Sequence, residues 1–172
     1  MPKTPNQPSN SLKTLLMPTK FFPLLVASPQ KLKDQKIDLK AVRNISKLYS
    51  PYNKKIFGNH SQLVVPVVFD TMVKLAIISL ERSKITIFNL QKSSKVSKDE
   101  EKMEDKLVYA CLVKYLEKVY NREVDQAATL REGFSISYGS CTRSTNRNRA
   151  ITNLAFFAFL VMTGSSDLVA TD

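Results

Sequence analysis

The stretch Cys141-Thr-Arg-Ser-Thr-Asn-Arg-Asn-Arg149 gathers the side chains in this chain best suited to chemistry. One thiol and three guanidinium groups lie close together, with hydroxyl and amide donors between them. The stretch runs into the apolar segment Ala150 to Met162 and stops at Thr163-Gly164, which places it at the start of a predicted helix. Ser144 or Thr145 supplies the cap, and Gly164 the C-terminal stop. A helix N-terminus presents unpaired N–H groups and partial positive charge. Arg143, Arg147 and Arg149, with Ser144 as a neutral donor, are therefore candidates for holding nucleic-acid phosphates. The second candidate is the basic, aromatic loop Tyr52 to His60. There Lys54 and Lys55 beside Tyr52 suit backbone contact combined with base stacking.

Cys141 and Arg147 also stand in a Cys-x5-Arg spacing, between a short strand-like segment and the helix. This resembles the phosphate loop of cysteine-dependent protein phosphatases. The resemblance implies a thiolate that attacks phosphorus while backbone amides and Arg147 hold the oxyanions. The sequence departs from that pattern at three points. Ser140 stands where those enzymes have histidine, the loop has no glycine, and Asn148 follows the arginine.

Other catalytic patterns are missing from the sequence. His60 is the one histidine, and there is no Gly-x-Ser-x-Gly, no Cys/His spacing for zinc and no glycine-rich nucleotide loop. The acids from Asp99 to Asp105 read as a helix start. The expectation is a non-enzymatic protein with no cofactor, no metal and no small-molecule substrate.

A net charge of +11 on 172 residues favours nucleic acid, an acidic lipid surface or an acidic protein as partner. The first sixty residues hold eleven lysines and arginines against Asp34 and Asp38. Four glycines argue against a turn-rich barrel or sandwich. Two cysteines are too few for a disulfide framework, so a reduced, cytoplasmic protein is expected. The longest apolar runs fall short of the roughly 20 residues of a membrane span.

These elements must position the candidate residues. Six prolines in residues 1–30 exclude a continuous helix and predict an extended basic arm over 1–36. Asp38 caps a helix to about Tyr49. Pro66 suits the first position of a buried helix that runs to Arg82. Residues 84–90 read as either strand or helix. The capping box Ser97-Lys-Asp-Glu100 opens a helix to about Tyr120, with Met103, Leu107, Cys111 and Leu116 expected buried. A short helix is expected over Arg122 to Glu132, and Phe134 to Tyr138 alternates as a strand does.

The fold class expected is mainly α: one domain of five or six helices over 37–164, with room for one short strand pair, a Pro-rich extended N-terminal arm and a tail over 165–172. The function expected is an RNA-binding structural protein that self-assembles through its arm, with the layout of viral nucleocapsid or coat proteins, cytoplasmic or in a virion. A matrix-type protein on an acidic membrane surface, inserting Phe21, Phe22, Leu24 and Leu25, is the first alternative. The Cys141/Arg147 phosphatase is the second.

Overall fold

The computed structural model describes residues 14–48, 60–123 and 133–164. Their centre is a five-stranded mixed sheet in the order β1-β2-β3-β4-β5, which replaces the mainly helical architecture expected above. The strands are β1 (Thr14–Leu16), β2 (Gln62–Phe69), β3 (Met72–Ser79), β4 (Lys84–Asn89) and β5 (Ser135–Tyr138). β2, β3 and β4 form an antiparallel meander, while β1 adds to β2 and β5 adds to β4 in parallel.

The segment expected as a helix from Pro66 to Arg82 is the β2–β3 hairpin, in register from Gln62↔Ser79 to Phe69↔Met72. A long apolar run carries no period when both faces are covered, so helix and buried strand look alike in sequence. Val64, Val65, Val67 and Val68 settle the contest, because branched side chains fit a pleated, covered surface. Pro66 is tolerated because the carbonyl of Val64 faces β1, accepting from the Met17 N–H at 2.8 Å. Pro66 faces the same side two residues on, past the last paired residue of β1, so its missing N–H leaves the β2–β3 ladder intact. Asp70 turns the hairpin at φ 52°, a left-handed conformation that aspartate tolerates. Residues 84–90, open in the sequence, form β4.

Five helices among the described residues cover the sheet: α1 (Phe21–Leu25), α2 (Pro29–Lys33), α3 (Leu39–Leu48), α4 (Lys98–Glu123) and α5 (Arg147–Met162). α4 packs Val108, Cys111, Leu112, Tyr115 and Leu116 on one face, together with α1 and α2. α5 packs Ala150, Leu154, Phe157 and Ala158 on the other, against Val64, Val73, Leu75 and Phe88. Within the segment expected as an extended arm, Phe21, Phe22, Leu25 and Val26 are core residues. Pro23 lies within α1, and Pro29 takes the first turn of α2. Phe21 meets Tyr115 edge-on at 5.0 Å, and Phe22 meets Phe69 at 5.7 Å. Leu24 stays 37% exposed. Phe21, Phe22 and Leu25 are thus spent on the fold and are not available to insert into a membrane.

Of the four residues expected buried, Met103 is 60% exposed and Leu107 only partly buried, whereas Cys111 and Leu116 are buried. The expected helix over Arg122 to Glu132 lies mostly outside the described residues, as do residues 1–13 and 165–172.

Candidate functional site

β1, β2, β4 and β5 all run in one direction, with β3 against them. Their carboxyl ends therefore face a common pole. In open α/β sheets ligands bind outside the carboxyl ends of the strands, which makes this pole the candidate site. The chain after β5 crosses it and joins the end of β4. The Ser144 N–H donates to the Leu90 carbonyl at 2.9 Å, and the Lys92 N–H donates to the Ser144 carbonyl at 2.8 Å.

α5 then starts at the pole. Its cap is Asn146, whose side-chain oxygen accepts from the Arg149 N–H at 3.0 Å. The cap expected at Ser144 or Thr145 is thus shifted onward, and the Ser144 hydroxyl instead accepts from the Asn146 N–H at 3.1 Å.

The pole brings Cys141, Arg143, Ser144 and Arg147 together with Asn89 and Gln91. Arg143 donates to the Gln91 carbonyl at 2.9 Å and pairs with Glu101 of α4. Arg147 donates to the Gln91 side chain at 3.4 Å. Arg149 is exposed in the first turn of α5. Two of the three arginines are thus held in the protein's own bonds. Tyr52, Lys54 and Lys55 lie outside the described residues.

Cys141 is half-buried, and its thiol donates to the main-chain carbonyl of Asn89 at 3.4 Å. Burial pushes this thiol above its ordinary range, against the pull of Arg143. A thiol kept neutral and bonded to a carbonyl is not the free thiolate of a phosphate loop, so the expected Cys141/Arg147 phosphatase pair is not assembled. His60 precedes β2 at the other end of the sheet, separated by the length of β4, about 17 Å at the usual rise. Cys141 and His60 therefore do not form a nucleophile–base pair.

Beneath the pole lies a set that the sequence did not suggest. Lys74 and Asp105 are each 2% exposed. Lys74 donates to Asp105 at 2.8 Å, bonds the Asn89 side-chain oxygen and lies 3.5 Å from Glu104. The Asn89 amide donates to the other Asp105 oxygen at 3.0 Å. β3, β4 and α4 are tied together by this one cluster. Burial holds the Glu104 carboxyl above its ordinary value despite Lys74, and burial with the Asp105 charge raises the Tyr138 phenol. Among the described residues no group of three or more His, Cys, Asp or Glu side chains is placed to hold a metal. Among the same residues no helix is long and apolar enough to cross a membrane.

No protein-family model matches the sequence, and no curated protein matches it. Solved structures do match. A structure of the SUMO protease Ulp1, with its catalytic cysteine oxidised to a sulfinic acid, aligns with a TM-score of 0.56 at 14% identity, covering 95% of this chain and 63% of that one. The C-terminal Ulp1 protease domain in complex with Smt3, the yeast ortholog of SUMO, aligns with a TM-score of 0.52 at 15% identity, covering 94% and 62%. The present chain thus spans less than two-thirds of either.

This likeness, with the mixed sheet, overturns the expectation of a helical, non-enzymatic RNA-binding nucleocapsid or coat protein. Ulp1 is a protease with a catalytic cysteine. The partner held by one neighbour is a protein, not an RNA. In its fold the chain is similar to SUMO protease domains, an α/β architecture built on a mixed sheet.

Proposed function

We propose that this chain works on a small folded protein of the SUMO type, engaged at the pole that carries Asn89, Gln91, Cys141, Arg143 and Arg147. The observation that carries the proposal is the fold likeness over 95% of the chain to a SUMO protease. A second structure of that protease holds Smt3. Locally, the carboxyl ends of four strands and the start of α5 meet at the pole, where Arg147 is half-buried and Arg149 is exposed. Acidic and carbonyl groups of a protein partner fit such a surface, because guanidinium groups bond carboxylates and peptide carbonyls through paired N–H donors. Any covalent step would fall to Cys141, the half-exposed one of the chain's two thiols.

The test is a titration of isotope-labelled SUMO-type protein with the full chain, followed by NMR, alongside a cleavage assay on a precursor of that protein. Saturable shifts that weaken in the Arg143→Gln/Arg147→Gln/Arg149→Gln variant are expected. Cleavage that disappears in Cys141→Ser would extend the role to hydrolysis. Neither binding nor cleavage, with both proteins folded, would overturn the proposal.

A further inference from the structure

The acids of α4 at positions 101, 104 and 105 look like ordinary first-turn charges in the sequence. In the structure they occupy one face of the helix, at spacings that make them neighbours. Between them they reach three parts of the pole. Glu101 pairs with Arg143 on the loop after β5, Glu104 lies 3.5 Å from Lys74 on β3, and Asp105 bonds both Lys74 and Asn89. Asn89 is where these links converge. Its side chain is held at the oxygen by Lys74 and at the amide by Asp105, while its main-chain carbonyl accepts the Cys141 thiol.

A buried ion pair is a costly way to gain stability, since desolvating two charges offsets most of their attraction. An apolar pair of similar size would fill the same space between β3 and α4. What the charged pair adds is direction, because it fixes the Asn89 amide in one orientation at the last residue of β4. The strand end, and the carbonyl it presents, is then fixed with it.

We infer that Lys74 and Asp105 are positioning residues of the pole: through the Asn89 side chain they hold in place the main-chain carbonyl to which the Cys141 thiol donates. The inference rests on the assignment of this pole as the working end of the chain. It adds how the thiol there is held in check. A thiol that donates to a carbonyl is favoured in its neutral form, so releasing that carbonyl makes the thiolate more accessible.

The experiment measures alkylation of Cys141 by iodoacetamide across pH in the full chain, with each cysteine followed by mass spectrometry. Lys74→Met/Asp105→Leu exchanges the ion pair for apolar contact. In this variant the Cys141 profile should move towards lower pH, and a displacement by one full pH step should raise the rate near pH 7 about tenfold. Cys111, fully buried in α4 with its thiol pushed up to about 11 by burial, is the internal control and should stay slow.

A Cys141 profile that does not move in a folded variant would overturn the inference. So would a rise at both cysteines, which reports general loosening. If the double variant fails to fold, Asn89→Ala decides. It keeps the Lys74–Asp105 pair but removes the handle, and should release Cys141 in the same way; an unmoved profile there also overturns the inference. None of these outcomes depends on a SUMO-type protein binding, so the two proposals fail separately.

Discussion

Gly139 lies against the ring of Phe88 so closely that a Cβ at this position would overlap the ring. The Gly139 N–H at the same time donates to the Ile87 carbonyl at 2.9 Å, which keeps the backbone in register with β4. Phe88 has little room to yield, because its ring also packs against that of Phe157 of α5, with centroids 4.8 Å apart.

Gly139→Ala should therefore destabilise the protein by about 1–3 kcal/mol, the usual cost of overpacking. Denaturant unfolding would measure it. Combining it with Phe88→Leu should cost less than the sum of the two single changes, since the clash and the ring are one interaction.

Leu112 is fully buried in α4 and Met103 is 60% exposed on the same helix. Leu112→Ala should cost about 2–5 kcal/mol, as buried leucines do. Met103→Ala should stay within about half a kcal/mol, the range of surface changes. A larger loss at Met103 than at Leu112 would reverse the assignment of the helix face.

Asn146→Ala removes the side chain that accepts from the Arg149 N–H and should cost about 1 kcal/mol. Ser144→Ala should cost less, because its hydroxyl serves a turn N–H and not the helix. The two melting temperatures, compared side by side, check the order.

Glu104 gives a pH signature. Its carboxyl is held above the ordinary value of 4.5, chiefly by burial, so between the two values the folded state binds more protons than the unfolded one. Stability from this group is then greatest below 4.5 and declines as pH rises through the raised value. Glu104→Gln should flatten that decline, leaving stability unchanged in acid and raised near neutrality. Urea titrations at several pH values would show it, and a variant less stable at neutral pH would mean that the Lys74 contact outweighs desolvation.

Local signals are legible in the sequence. Ser97 accepts from the Glu100 N–H and Asp38 from the Ala41 N–H, as capping patterns lead one to expect. Gly164 ends α5 at φ 75°, and the alternation from Phe134 to Tyr138 is β5. The sheet is hidden at β2 and β3 because burial on both faces erases the alternation that marks a strand. Once that hairpin is taken for helix, a five-stranded sheet becomes a helical bundle with one spare strand pair.

The site divides along the same line. Cys141, Arg143, Ser144 and Arg147 sit within one short stretch, so their grouping is visible in sequence. Lys74, Asn89 and Asp105 are brought together from three elements, Asn89 lying 15 positions and Asp105 31 positions after Lys74. Taken singly, each of the three looks like a surface residue. Only the pairing of β3 with β4 and the docking of α4 make a buried cluster of them.

The unequal pairing of the strands sets an order of assembly. β2, β3 and β4 follow one another through tight turns, so their ladders close short loops. β1 must find β2 across the span from Thr14 to Gln62, and β5 must find β4 across the span from Lys84 to Ser135. Loop closure makes long-range parallel pairing the slower event. The meander should thus form first and the parallel edges should add later, with Cys141 and Arg143 arriving at the pole only when β5 docks. On that order the thiol would meet its partners only once the core that supports them exists.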